Sequence, residues 1–188
     1  MRFRNAIFAG GGSRCFWQLG FWEGAKESGL DLQASVEFVG STSAGCAMAT
    51  AAVLDRTYDA LRLFQDLTAQ NPRNIHWWNL HPSRPGRLFP HASMYRRALD
   101  DFIDQGDLTT IQSRSTVHFL MSAYPKWLRG ALGGVVALSI YAAEKTMRND
   151  PLHPRWPTKF GFTPRVGRAA DCADVGQYID MVLAASCV

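Results

Sequence analysis

Cysteine is scarce and scattered in this chain. The four residues Cys15, Cys46, Cys172 and Cys187 show no short paired spacing. That speaks against a zinc site and against a disulfide framework, which both rest on closely and regularly spaced positions. Free thiols of this kind suit a reducing, cytoplasmic setting. Apolar runs of membrane-spanning length are lacking too: Gly130 to Ala143 holds fourteen uncharged residues, whereas a spanning helix needs about twenty. Met1-Arg2-Phe3-Arg4 is basic, but the chain reaches a glycine triplet within a few residues of it. It is a lead-in to a strand and not a signal peptide.

Charge of one sign is equally short. The formal net charge is +4, with six basic and seven acidic residues in Met1 to Gln70, eight and four in Asn71 to Gly130, and six and five in Ala131 to Val188. The small positive excess is local to the middle third and provides no nucleic-acid surface. With Trp77, Trp78 and Trp127 nearby, it suits either a peripheral contact with anionic lipid headgroups or a solvated face around an irregular insertion.

What is present is concentrated between Asn5 and Leu54. Asn5-Ala6-Ile7-Phe8-Ala9 has the character of a buried strand, Cys15 to Ser28 of a helix stopped by Gly29, Val36 to Val39 of a second strand, and Ala44 to Leu54 of a second helix. The carboxyl end of each strand carries a turn of special composition. In the second, Ser43 sits where a strand runs into a helix, with Gly45 two residues on and the small Ser41 two residues before. Such a corner, a nucleophile elbow, exposes a serine hydroxyl and tolerates only small neighbours. In the first, Gly10-Gly11-Gly12 supplies backbone N–H groups that can face an anion unobstructed. Arg14 beside the triplet either steadies the loop or adds positive charge.

Gly10-Gly11-Gly12-Ser13-Arg14, followed about thirty residues later by Ser43-Ala44-Gly45, resembles the amino-terminal half of a patatin-like phospholipase. The resemblance implies an α/β fold, a mostly parallel central sheet sandwiched by helices in a three-layer architecture, with residues 1–188 as a single domain. It implies a serine and aspartate dyad acting on a lipid ester without metal or cofactor. Ser43 matches the nucleophile, Gly10, Gly11, Gly12 and Arg14 match the oxyanion loop, and Ser41 and Gly45 flank the elbow. Cys15 stands where the family usually has one more glycine. The family's aspartate lies in an Asp-Gly turn, and no Asp-Gly pair occurs in these residues. The segment Tyr178 to Val188 is similar to the helix that precedes that turn. The expectation is a truncated piece whose base lies beyond Val188, inactive as it stands.

Elsewhere Tyr58, Leu61, Phe64 and Leu67 recur at helical spacing, and His91 to Asp104 does so with Met94, Tyr95, Leu99, Phe102 and Ile103 inward. Arg96 and Arg97 face Asp100, Asp101 and Asp104 at spacings that favour ion pairs along the helix. Gln70 to Pro90, rich in proline, is a lid or a surface loop. Val117 to Tyr124 is a central strand, and His118 within it is a core histidine. Gly130 to Ala143 is a buried helix or a strand leading into one, with Glu144-Lys145 marking its exit to water. Asn149 to Pro164 is loop-rich, and Asp171 to Ser186 is helical with Val175, Ile179, Val182 and Leu183 on one face.

Two rivals stand beside the dyad. In a Ser-His-Asp hydrolase His153 would be the base, but the glycine loop of such enzymes follows a histidine and lies farther upstream. In a non-catalytic module the glycine loop would cradle a phosphate or a lipid headgroup. The chain lacks the last glycine of the dinucleotide fingerprint and the Gly-Lys-Ser of a phosphate loop.

Overall fold

The structure, a computed structural model, describes residues 3–70, 91–114, 116–128, 130–148 and 155–186. Four strands form one sheet in the order β1 (Asn5–Phe8), β2 (Phe38–Thr42), β3 (Thr116–Ala123) and β4 (Thr163–Arg168). The first three run parallel and β4 runs antiparallel to β3. The mostly parallel sheet with its helices is the α/β architecture the sequence predicts.

Two strand boundaries follow from local chemistry. Asp31 caps a single helical turn, α2 (Leu32–Ser35), by accepting a hydrogen bond from the Ala34 amide at 2.9 Å. That turn delays β2, which begins at Phe38 rather than at Val36 and runs on through Thr42. At the other edge β4 lies partly in the loop-rich stretch expected up to Pro164. Its Thr-Pro-Arg-Val-Gly-Arg sequence lacks any apolar alternation, and proline is tolerated there because this is an edge strand.

Helices flank the sheet. After a 3-10 turn at Gly12–Cys15 comes α1 (Phe16–Glu27), then α3 (Gly45–Val53), α4 (Thr57–Gln70), α5 (His91–Phe102), α6 (Gln105–Arg114), α7 (Gly130–Arg148), α8 (Trp156–Lys159) and α9 (Val175–Ala185). The small residues of α3 let it pack tightly, and all but Ala47 are buried. Phe8, Val39, Val117 and Phe119 from the strands meet Leu19 and Trp22 of α1, Met48 of α3, Leu108 and Ile111 of α6, and Tyr178, Ile179 and Val182 of α9 in one apolar cluster. The opposite face carries Ile7, Leu120 and Val166, which stay exposed among the described residues.

Several expectations shift in detail. Tyr58 faces water, and α4 instead buries Thr57 and Ala60, with Phe64 packed against the cluster. In α5, Leu99 and Phe102 are buried, as is Ile103 just beyond it, but Arg96 reaches across to Asp180 of α9 rather than along its own helix. His118 is half-buried in β3 with its ring edge-on to Phe38 at 5.1 Å. Glu144 does not mark an exit to water: it is 3 % exposed, accepts from the Trp156 amide at the start of α8 and pairs with Arg148 at 3.4 Å. Trp127 is exposed. Trp77, Trp78, His153 and the stretch from Asn71 to Pro90 lie outside the described residues, and no described helix is long and apolar enough to cross a membrane.

Candidate active site

Register brings the two special corners together. Phe8 on β1 pairs with Ser41 on β2, so the residues just past each strand leave the sheet side by side. Ser43 has φ 52°, a left-handed backbone that a non-glycine residue rarely adopts. This is the conformation expected of a serine at a strand-to-helix elbow. Its amide donates to the Ala185 carbonyl at 3.1 Å, its carbonyl accepts from the Cys46 amide at 2.9 Å, and the residue is half-buried.

The glycine loop lies directly against that corner. A Cβ on Gly10 would fall 2.8 Å from Ser43 Cβ and 3.5 Å from its Oγ, so only glycine lets the loop approach. Gly45 meets the same constraint from the other side, where a Cβ would lie 2.5 Å from the Phe8 carbonyl oxygen and 2.6 Å from that of Ala9. Gly12, with φ 58°, turns the chain into the 3-10 helix. Gly12 and Ser13 line a cavity of about 170 Å³ together with Ser43. The remaining walls are mostly apolar, from Phe16 on α1, Ala47 and Met48 on α3, Phe64 on α4, Tyr95 and Leu99 on α5, and Val182 and Leu183 on α9.

The other predicted residues sit around this core. Ser41 is buried, and its hydroxyl donates to the His118 carbonyl at 3.2 Å, holding β2 to β3 behind the elbow. Gly11 offers its carbonyl to the Arg14 amide at 3.3 Å and to Arg14 Nε at 3.4 Å. Arg14 is exposed and outside the cavity lining, which favours the loop-steadying role over a charge facing the substrate. No carboxylate is among the described residues that line the cavity.

Two thiols stand behind the corners, and neither is set up as a nucleophile. Burial pushes Cys46 up to about 11, against a smaller lowering by its hydrogen bond with Ser41. Burial also raises Cys15, whose Sγ lies 3.1 Å from the Ala9 carbonyl oxygen.

Sequence reasoning missed the cavity walls on α4, α5 and α9, which only tertiary packing assembles. It also missed Gln18, buried on α1 and hydrogen-bonded to Ala9 through both ends of its carboxamide. The one sequence signal was its place on the stripe Cys15, Gln18, Leu19, Trp22, where a polar residue enters an apolar row.

A mostly parallel sheet whose first two strands lead into a glycine loop and the Ser43 corner belongs to the α/β class. The family model for patatin-like phospholipase matches residues 6–188, and the chain belongs to that family. Searches of curated proteins and of solved structures returned no match. Family membership indicates a lipid acyl hydrolase in general terms.

Proposed function

We propose that this chain carries the nucleophile and oxyanion loop of a serine-dependent lipid acyl hydrolase. Ser43 Oγ attacks the ester carbonyl carbon as its proton passes to an aspartate. The amides of Gly10, Gly11 and Gly12, steadied by Arg14, hold the carbonyl oxygen as it becomes negative. The bond to the alcohol then breaks, the alcohol leaves with the proton, and water frees the acyl group from Ser43 by the reverse sequence. The single observation that carries this reading is the left-handed Ser43 lying against Gly10 and lining a mostly apolar cavity.

Supporting it is the partition of hydrogen-bond donors. The Ser43 amide is already committed to Ala185, which leaves the facing glycine loop to supply donors to the oxyanion. The apolar walls suit an acyl chain. The proton acceptor is proposed to be the aspartate of the Asp-Gly turn that the family resemblance implies, beyond Val188; among the described residues the cavity lining holds no carboxylate. The carboxyl end of α9 already meets Ser43 there. An aspartate of ordinary pKa, about 4, is a weak base, so this one would be raised by partial burial or coupled to Ser43 by a short hydrogen bond. No metal or cofactor enters the scheme, residues 1–188 act as one domain, and any membrane contact is peripheral.

The test is hydrolysis of phospholipid and simple carboxylic esters by the full-length protein and its Ser43→Ala variant. We expect ester cleavage that falls by about a thousandfold or more in Ser43→Ala. Cleavage unaffected by Ser43→Ala contradicts the proposal. Absence of cleavage together with stabilisation by phosphate or lipid headgroups favours a non-catalytic binding module.

A further inference from the structure

Ala9 stands between the two halves of the site. It is the last residue before the glycine triplet, and its carbonyl oxygen is one of the two backbone oxygens that a Cβ on the elbow glycine, Gly45, would strike. Strand pairing ends one residue earlier, at Phe8 against Ser41. Both main-chain groups of Ala9 are taken instead by one side chain. The Ala9 amide donates to Gln18 Oε1 at 2.9 Å, and Gln18 Nε2 donates to the Ala9 carbonyl at 2.9 Å. A carboxamide presents a donor and an acceptor side by side, so this pairing reproduces one rung of an antiparallel ladder where no strand is available. Cys15 Sγ adds a weaker contact to the same carbonyl. A glutamine only 7 % exposed is costly to bury unless its amide is satisfied, and here that satisfaction comes from the residue leading into the loop.

We propose that Gln18 is a positioning residue of the acyl-transfer site, clamping Ala9 so that the glycine-loop amides stand in register with the Ser43 hydroxyl. The inference rests on reading Ser43 and the loop as nucleophile and oxyanion hole. Gln18 is not part of the cavity lining, so it acts on turnover and not on substrate binding. Donors to an oxyanion are effective only when already aimed at the position the charged oxygen will take, and a small displacement of the loop is enough to lose them.

Glutamate tests this by chemistry rather than by size. Its ionised carboxylate accepts from the Ala9 amide but repels the Ala9 carbonyl, while the protonated acid again offers one donor and one acceptor. The burial-raised Cys15 thiol beside it stays protonated near and below neutral pH, and Arg14 is the charged neighbour acting on that thiol. In the full-length protein the ratio of Gln18→Glu to wild-type kcat should be about a hundredfold low at mildly alkaline pH and climb towards one as the carboxyl protonates. KM should stay within about twofold, and Gln18→Leu should be slow at every pH. A ratio that does not change with pH, or a loss confined to KM, overturns the proposal. Amide hydrogen exchange gives a second readout. Exchange at the Arg14 amide, which donates to the Gly11 carbonyl inside the loop, should speed up by about tenfold in Gln18→Leu while α9 is unchanged, and an unchanged rate at Arg14 overturns the clamp by itself. If the wild type cleaves no ester, the acyl-transfer reading falls and the positioning role falls with it.

Discussion

The amide of Ser43 is hydrogen-bonded to the carbonyl of Ala185 at 3.1 Å, which ties the elbow to the last residue of α9. Two residues far apart in the chain thereby share one backbone contact, and the strained corner is braced by a helix end that otherwise leaves carbonyls without partners. The Ser43 amide should therefore exchange with solvent as slowly as the amides in the body of α9. Fast exchange at Ser43 beside a protected α9 would show that the brace does not hold.

The contact between the two corners has a direct steric test. Gly10→Ala places a methyl group 2.8 Å from Ser43 Cβ, so either the loop or the elbow must move. Ester hydrolysis should drop by about a hundredfold, while stability falls by about 1–3 kcal/mol, the usual cost of overpacking. Gly45→Ala meets two backbone oxygens instead of a side chain and should cost more stability than Gly10→Ala in the same denaturation experiment.

The cavity wall predicts a dependence on acyl length. Ala47 on α3 lines the cavity beside Ser43, and Ala47→Phe narrows it without touching the nucleophile. Selectivity, read as the kcat/KM ratio of a long-chain to an acetyl ester, should fall by about tenfold. Equal loss on both esters would mean that the acyl chain lies elsewhere.

The polar contacts beneath the elbow helix predict a response to alkali. Tyr178 is fully buried, with its hydroxyl 2.8 Å from that of Thr50, which in turn donates to the Cys46 carbonyl. Burial raises both the Tyr178 phenol and the Cys46 thiol, the latter from 9.0 to about 11. With folded-state values above unfolded ones, the contribution of each is fully present at neutral pH; the Cys46 share is lost as pH rises through about 9 and on to about 11, and the Tyr178 share begins to be lost only above about 10. Tm should decline over this window, and the decline should be shallower in Cys46→Ala. Tyr178→Phe should cost about 1 kcal/mol at neutral pH, the worth of one buried hydrogen bond.

Local signals made much of this legible in advance. The apolar run at Asn5 to Phe8, the glycine triplet and the Ser43-Ala44-Gly45 corner each carry their meaning within a few residues, because strand, turn and elbow are set by local sterics. β4 left no such mark, since an exposed edge strand with Pro164, Gly167, Arg165 and Arg168 depends on β3 for its ladder. The delay of β2 to Phe38 came from Asp31, whose capping bond creates a helical turn that periodicity does not register. Phe64, Tyr95, Val182 and Leu183 meet around Ser43 only through long-range packing. Nothing in their spacing announces a shared cavity. Glu144 shows the same limit, a carboxylate at the end of an apolar run that is buried because α8 folds back to offer it an amide.

The most direct measurement is covalent. Three serines are among the described residues lining the cavity, Ser13, Ser43 and Ser186, and a fluorophosphonate probe reacts only with the activated one. Peptide mapping of the labelled full-length protein should place the adduct on Ser43 alone, with labelling abolished in Ser43→Ala. An adduct on Ser13 or Ser186, or no adduct at all, would contradict the assignment of Ser43 as the nucleophile.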